Sequence, residues 1–138
     1  MALDYLPSHK GLNYNLTYLG TPNLLLLYQL IIMALEQSID FKNESSLLYD
    51  LLKSKNDDIF NSKTQFKSWT INDVLYHLHV WNNAAFLSLT NEKKFSKFMK
   101  DFFTAIKSGH SARSHEKELS NNISGQNLLM EWKKDYEK

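Results

Sequence analysis

Five histidines carry most of the chemical interest in this sequence of 138 residues. An imidazole can bind a metal ion, or take up and release a proton near neutral pH. His77 and His79 lie two positions apart in a segment whose apolar residues follow a helical period. At about 100° per residue their side chains point about 200° apart, so one metal ion cannot take both from a regular helix. At most one of them is expected to be a ligand in a site formed by this chain.

Helical projection separates these two histidines further. With the apolar stripe centred on Ile71 and Leu89, His79 lies about 80° from the centre and His77 about 120° away on the other side. Geometry alone therefore predicts that His79 is the more buried of the two. A histidine beside an apolar stripe is usually a core or edge residue with ordinary hydrogen-bond partners, and spacing alone leaves both that interpretation and a ligand role open.

The other titratable residues show no ligand spacing. His110 and His115 are five apart, whereas metal-binding pairs on a helix are usually three or four apart, so both are expected to be solvated. His9 lies in an irregular N-terminal stretch and is uninformative. The acidic candidates form no recognisable pair and are expected on solvated helix faces: Glu44, Glu116, Glu118 and Glu131. The chain has no cysteine, no glycine elbow around a serine and no glycine-rich phosphate loop. The sequence therefore gives no support for a thiol nucleophile, a serine nucleophile or a phosphate-binding loop.

The elements that must position these side chains are expected to be long helices. Only 4 glycines and 2 prolines are present, and Pro7 and Pro22 both precede residue 23. Apolar spacing predicts a helix over residues 23–55 with a break near residues 39–42, followed by a polar loop over residues 56–68. Thr70 and Asp73 resemble a capping box at the start of a second helix that runs to about residue 89.

Three shorter helices are expected after residue 89. Thr90 is expected to cap the first of them, which carries a dense aromatic stripe over residues 95–106 and ends at Gly109. Residues 110–120 are expected to form a short helix, and Ser124 to cap the last one. The fold class is therefore predicted to be all-α.

The charge and the apolar pattern restrict the classes of partner. Lys and Arg number 16 and Asp and Glu 15, and the resulting net charge of +1 gives no electrostatic case for nucleic acid. The longest apolar stretch, residues 24–35, is shorter than the about 20 residues that a membrane span requires. It is interpreted as a soluble helix, with an interfacial anchor as the alternative. No membrane partner is predicted, and the absence of cysteine agrees with a cytoplasmic location.

The most specific part of the sequence is residues 64–89, TQFKSWTINDVLYHLHVWNNAAFLSL. This segment resembles the DinB-like superfamily and, within it, the mycothiol-dependent maleylpyruvate isomerase-like proteins. The resemblance covers about residues 33–138, and residues 1–32 form a leader without a counterpart. The motifs that carry it are, in chain order, Trp69 and Thr70, Asp73 and Val74, His77 and Leu78, Phe95, Phe98, Ser124 and Gly125, Leu128 and Leu129, and Trp132.

The resemblance implies an up-down four-helix bundle that holds a divalent metal ion, often zinc or nickel. One histidine of the second bundle helix would be a ligand, and His or Glu residues four apart on a later helix would complete the set. By position, the first ligand is His77, with His79 as the second choice. No H-x3-H or E-x3-H pair occurs in this chain, so the resemblance implies a truncated protein that lacks the last bundle helix. An extra helix pair is expected between bundle helices 2 and 3.

The expected protein is therefore a partial DinB-like metal-binding domain over residues 33–138. A catalytic metal needs about three protein ligands, so we expect this fragment to be catalytically silent. An incomplete bundle leaves apolar surface exposed, which predicts that residues 24–35 cover it or that the chain forms a homodimer or binds a helix partner. A non-enzymatic helical interaction module is the alternative function.

Overall fold

The chain folds as a series of helices joined by short connections. A computed structural model describes residues 23–138, so the predicted irregular stretch around His9 and the first 22 residues of the predicted leader, residues 1–32, lie outside the described residues. Five α-helices follow in order: α1 Leu24–Leu52, α2 Ile71–Thr90, α3 Glu92–Lys107, α4 Ala112–Leu119 and α5 Gly125–Tyr136. A 3₁₀ helix, Asp57–Asn61, follows α1, and residues 23–138 contain no strand, only an isolated bridge between Lys63 and Thr70. The predicted all-α class is confirmed.

Helix α1 is continuous over its 29 residues. The predicted break near residues 39–42 is wrong, because the segment contains no proline or glycine and polar side chains on an exposed helix do not interrupt its backbone hydrogen bonds. The chain nevertheless divides into two compact units, Met1–Gln37 and Ser38–Lys138. The candidate metal centre described below belongs entirely to the second unit.

The described part of the first unit, residues 23–37, exposes its apolar side chains. Leu24 is 79% exposed, Leu30 55% and Ile31 50%. By length and composition, α1 is the one helix among residues 23–138 that could cross a membrane, with a mean hydropathy of 1.5 over 18 residues. Its first turns are apolar on every side, a distribution found in membrane spans and in helices that are buried by other protein.

The core of the second unit forms where α2 and α5 pack against each other. Leu75 on α2 and Leu128, Leu129 and Trp132 on α5 are all at most 1% exposed. Burying one such side chain contributes roughly 1.5–3 kcal/mol relative to leaving it in water. The same cluster also includes Leu52, Phe60, Tyr76 and Tyr136. This packing fixes α2, the helix that carries the two central histidines.

The start of α2 is fixed by the predicted capping box. The Thr70 hydroxyl accepts a hydrogen bond from the Asp73 N–H at 3.1 Å, and the Asp73 carboxylate accepts one from the Thr70 N–H at 2.8 Å. These bonds satisfy backbone donors that have no partner within the helix. The prediction is confirmed, and it sets where the helix begins and therefore the direction of each side chain along it.

Helix α3 begins one residue later than the predicted cap implies. Thr90 is the last residue of α2, and its hydroxyl donates to the Phe86 carbonyl at 2.7 Å. The cap of α3 is Asn91, whose side-chain oxygen accepts a hydrogen bond from the Lys94 N–H at 3.0 Å. Threonine and asparagine are both good N-cap residues. Here the hydrogen bonding of α2 continues through Thr90, so Asn91 becomes the N-cap of α3.

Gly109 follows the C-cap of α3, Ser108, and stops the helix as predicted. Gly109 has a φ of 102°, a conformation that glycine adopts without strain. Its N–H donates to the Ile106 carbonyl at 3.1 Å, and the His110 N–H donates to the Ala105 carbonyl at 3.1 Å. This pair of bonds is the Schellman motif, which turns the chain back at the helix end. His110 is thereby held against the end of α3.

The cap of α5 comes from residues that are distant in sequence. Ser124 occupies the N-cap position as predicted, but its side chain makes no capping hydrogen bond. Instead the Asn72 side-chain oxygen accepts from the Gly125 N–H at 2.9 Å, and the Asp57 carboxylate accepts from the Gln126 N–H at 3.1 Å. Gly125 has a φ of 59°, and a Cβ added there would lie 2.5 Å from Asp57 Oδ1. A side chain at this position would therefore displace the carboxylate.

Gly125→Ala is expected to destabilise the fold more than Gly109→Ala. Both glycines have positive φ, so each alanine brings a backbone strain of roughly 1–2 kcal/mol. Only at Gly125 does the new Cβ also meet another atom, because nothing lies within 4 Å of a Cβ at Gly109. Urea unfolding of the two variants measures the difference. Equal losses of unfolding free energy would contradict the close approach of Asp57.

Candidate metal centre

His77 on α2 faces a buried carboxylate on α4. Its Nδ1 lies 2.9 Å from Oε1 of Glu116, and the indole N–H of Trp81 donates to the same oxygen at 2.9 Å. The Glu116 side chain is 1% exposed, whereas that of His77 is 46% exposed. The histidine thus has one nitrogen against the protein interior while part of its ring remains open to solvent.

Glu116 contradicts the prediction that it lies on a solvated helix face. It lies on the side of α4 that packs against α2, where His77 and Trp81, four residues apart on one face of α2, surround its Oε1. Its other oxygen, Oε2, is buried and has no hydrogen-bond partner among the described residues. A buried polar atom without a partner costs free energy and is rare in folded proteins, so this atom marks a place of chemical interest.

The contact with Glu116 selects a tautomer of His77. Oε1 already accepts a hydrogen bond from Trp81, and a carboxylate oxygen that accepts from His77 requires the proton on Nδ1. The neutral ring then carries a free lone pair on Nε2. Metal-binding histidines are typically held in this way, with the remote N–H donated to a carboxylate that fixes the ring and raises its basicity.

An open pocket adjoins the same imidazole. It has a volume of about 570 Å³ and is lined mainly by apolar side chains, among them Trp69, Val74 and Leu78, together with His77. The ring of Trp69 meets the imidazole at a centroid distance of 5.6 Å. A ligand in this pocket would therefore lie beside His77 and in apolar surroundings.

His79 faces a different helix. Its Nδ1 lies 2.5 Å from Oδ2 of Asp135 on α5, and the Asn83 side chain donates to that oxygen at 2.8 Å. The His79 side chain is 17% exposed against 46% for His77, so the projection correctly identified the more buried residue. The two imidazoles therefore have separate carboxylate partners, as their angular separation on a helix predicts.

Asp135 is held as a carboxylate by its neighbours. Burial alone would raise the pKa of Asp135, but hydrogen bonds from His79 and Lys138, together with their charges, outweigh burial and lower that pKa below its ordinary value of 3.8. The Lys138 ammonium donates to Oδ1 at 2.8 Å. Because α5 carries Asp135 and α2 carries His79, this network joins the same two helices as the apolar core.

A third group of titratable residues lies at the start and along one side of α4. His110, His115 and Glu118 each offer one ligand atom within 4.8 Å of the others, and the three could hold a metal ion. Both histidines were expected to be solvated. That expectation is wrong for His115, whose side chain is 16% exposed and whose ring meets that of Phe102 at 5.4 Å.

Helical spacing concealed this group in the sequence. The rule that ligands are three or four apart applies when both residues lie on one helix, but His110 precedes α4 and is placed by the turn after α3. The glycine stop at residue 109 was the signal that His110 is outside a regular helix. Glu118, three residues after His115 on α4, follows the helical rule.

Contacts between aromatic rings connect the surroundings of His77 with those of His115. The His77 and Trp81 ring centroids are 6.1 Å apart, and Trp81 meets Phe102 at 5.2 Å. Phe102, which is buried on α3, then meets His115. The aromatic stripe of α3 therefore contributes to the interior of the second unit.

Searches against protein-family models, curated proteins and solved structures found no match to this chain.

Asp135→Asn is expected to lower stability at neutral pH and to have a smaller effect in acid. Because the pKa of Asp135 is lowered in the folded chain, its carboxylate adds stability above pH 3.8, and this contribution is lost as the pH falls through the folded value. Urea unfolding midpoints of the wild-type and Asp135→Asn proteins, taken between pH 6 and pH 3, would measure the difference in their stability. Asp101→Asn, at an exposed ion pair with Lys97, is the control and should show little difference at any pH. A gap for Asp135→Asn that widens in acid would contradict this assignment.

Proposed function

We propose that this chain is a metal-binding domain of the DinB-like, maleylpyruvate isomerase-like class, and that His77 is the ligand it contributes. The observation that carries the proposal is an imidazole whose Nδ1 contacts a buried carboxylate and whose ring lines an open pocket. This is the arrangement that orients a histidine toward a divalent ion. Zinc or nickel is the ion that the resemblance implies.

The helix order supports the same class. In this proposal α1, α2 and α5 correspond to the first three bundle helices, and α3 and α4 are the extra pair between the second and the third. The capping box before α2 and the glycine at the start of α5 are two of the motifs on which the resemblance rests, and both have defined structural roles. His77 then occupies the ligand position of the second bundle helix.

The described residues fit such an ion only in part. Among residues 23–138, the one group of three metal-ligating side chains does not include His77, and a catalytic metal needs about three protein ligands. Glu116 supports the imidazole through its Nδ1 and is therefore not a second ligand on the same side of the ring. We derive no catalytic step from this site and propose that these residues alone are catalytically silent.

The tautomer of His77 tests the orientation directly. The contact with Glu116 predicts that the neutral ring carries its proton on Nδ1, which long-range ¹H–¹⁵N NMR of the ¹⁵N-labelled full chain would read. Addition of Zn²⁺ is then expected to shift the Nε2 signal of His77. In Glu116→Gln the apparent affinity at this residue should fall by about 10–100-fold, because an outer-shell partner is weakened.

The matched control for that experiment is Glu131→Gln, which removes a glutamate that pairs with Lys134 on α5. It should leave the His77 signals and their response to Zn²⁺ unchanged. A proton on Nε2 in the metal-free protein, or no response of His77 to Zn²⁺, would rule out the proposed site. The signals are resolved by residue, so binding elsewhere in the chain does not affect the result.

The exposed apolar surface of α1 favours a second candidate function, a helical interaction module. The side chains of Leu24, Leu30 and Ile31 are at least half exposed, which is unusual for a soluble helix without a partner. In this candidate, α1 associates with a second copy of the chain or with another helix.

The cytoplasmic location expected from the sequence stays a prediction.

Light scattering after size-exclusion chromatography tests the interaction module. The full chain is expected to form a dimer or larger species, and the double variant Leu30→Gln, Ile31→Gln should be monomeric because the apolar surface is interrupted. Ser96→Gln on α3, an exposed polar site, is the control and should leave the assembly unchanged. A monomeric full chain that co-floats with phosphatidylcholine vesicles would instead identify α1 as a membrane anchor.

A further inference from the structure

The turn between α3 and α4 places an imidazole where helical spacing alone would not. The Schellman motif at Gly109 fixes the backbone of His110 through the hydrogen bond from its N–H to the Ala105 carbonyl. Ser111 then caps α4, because its side chain accepts a hydrogen bond from the Ser114 N–H at 3.1 Å. His110 is therefore held between two defined helix ends.

Two further ligand types come from α4 itself. His115 and Glu118 are three residues apart and share one side of the helix. Nδ1 of His115 lies 3.4 Å from Oε2 of Glu118, and Nδ1 of His110 lies 3.8 Å from that same oxygen. The His110 and His115 rings meet at a centroid distance of 5.8 Å. All three ligand-bearing groups thus converge on one small volume.

These distances agree with tetrahedral coordination. Bonds of about 2.0–2.2 Å to a central zinc ion separate neighbouring ligand atoms by about 3.4 Å. The two distances to Glu118 are within a few tenths of an ångström of that value, and each of the three ligand atoms is within 4.8 Å of the others. Rotation of the half-exposed His110 and Glu118 side chains would close the set around one ion.

We propose that His110, His115 and Glu118 form a binding site for a zinc-like transition-metal ion, separate from His77. Two imidazoles and one carboxylate suit Zn²⁺, Ni²⁺ or Co²⁺, whereas Mg²⁺ and Ca²⁺ require mostly oxygen ligands. The side chains of His110 and Glu118 are about half exposed, so water completes the coordination. Because His110 follows α3 and the other two ligands lie on α4, the ion clamps the connection between these helices.

The rigid support of His115 strengthens this assignment. Its ring packs against Phe102, which is 5% exposed, so one ligand is already immobilised when the ion arrives. The side chains of His110 and Glu118 are about half exposed, so they can adjust toward the ion. A site with one fixed ligand and two adjustable ones loses less side-chain entropy on binding than three freely rotating side chains would.

Zinc titration of the full-length His77→Asn protein tests the site without an imidazole at position 77, while the asparagine amide can still donate to Glu116 and hold α4 in place. One equivalent of Zn²⁺ is expected to bind by calorimetry, Co²⁺ to give the intense visible absorption of tetrahedral coordination, and Mg²⁺ to produce neither effect. His110→Gln and Glu118→Gln in this protein should each weaken Zn²⁺ binding at least about tenfold, since loss of a direct ligand costs no less than loss of an outer partner. Both positions are about half exposed, so neither change removes core packing.

Glu131→Gln, added to the His77→Asn protein, is the matched control and should bind Zn²⁺ as tightly as its parent. Absence of zinc binding to the His77→Asn protein would overturn the proposal, as would unchanged affinity in both His110→Gln and Glu118→Gln. The outcome is independent of the proposed function. If the wild-type chain binds Zn²⁺ only through His77, the DinB-like assignment survives and this site does not. If binding depends only on His110 and Glu118, the reverse holds.

Discussion

The buried carboxylate of Glu116 links α4 to α2 inside the second unit. A charged or polar carboxyl group in the interior is costly unless donors meet it, and here both donors come from a single face of α2. The same carboxylate therefore couples the position of α4 on α2 to the ring orientation of His77. If α4 moved away, Trp81 would lose its acceptor and the imidazole would lose the partner that fixes its tautomer.

Local chemistry in the sequence was sufficient for several elements of this fold. The Thr70 and Asp73 pair, the glycine stop at residue 109 and the helical period of α2 each depend on residues within one or two turns of one another. For that reason the start of α2, the stop at Gly109 and the greater burial of His79 relative to His77 could be predicted. The same reasoning misplaced the cap of α3 by one residue, because Thr90 and Asn91 are both competent caps and neighbouring hydrogen bonds decide between them.

Long-range contacts could not be predicted in this way. Nothing near Gly125 in the sequence indicates that Asn72 and Asp57 would receive the N–H groups at the start of α5. The burial of Glu116 likewise depends on how α4 packs. The one local signal was on α2, where His77 and Trp81 lie four residues apart and can both donate to an acceptor on the same side of the helix. The group formed by His110, His115 and Glu118 was missed because a helix rule was applied across a turn.

The series of ring contacts from Trp69 through His77, Trp81 and Phe102 to His115 has a spectroscopic consequence. Indole emission is sensitive to nearby charge and to paramagnetic ions, and Trp81 lies within two ring contacts of both histidine environments. Quenching by an open-shell ion such as Cu²⁺ would therefore be seen whether the ion occupied His77 or His115. Tryptophan fluorescence would therefore report that a metal ion is bound near these rings. It would not tell His77 from His115, which requires a probe that resolves individual residues.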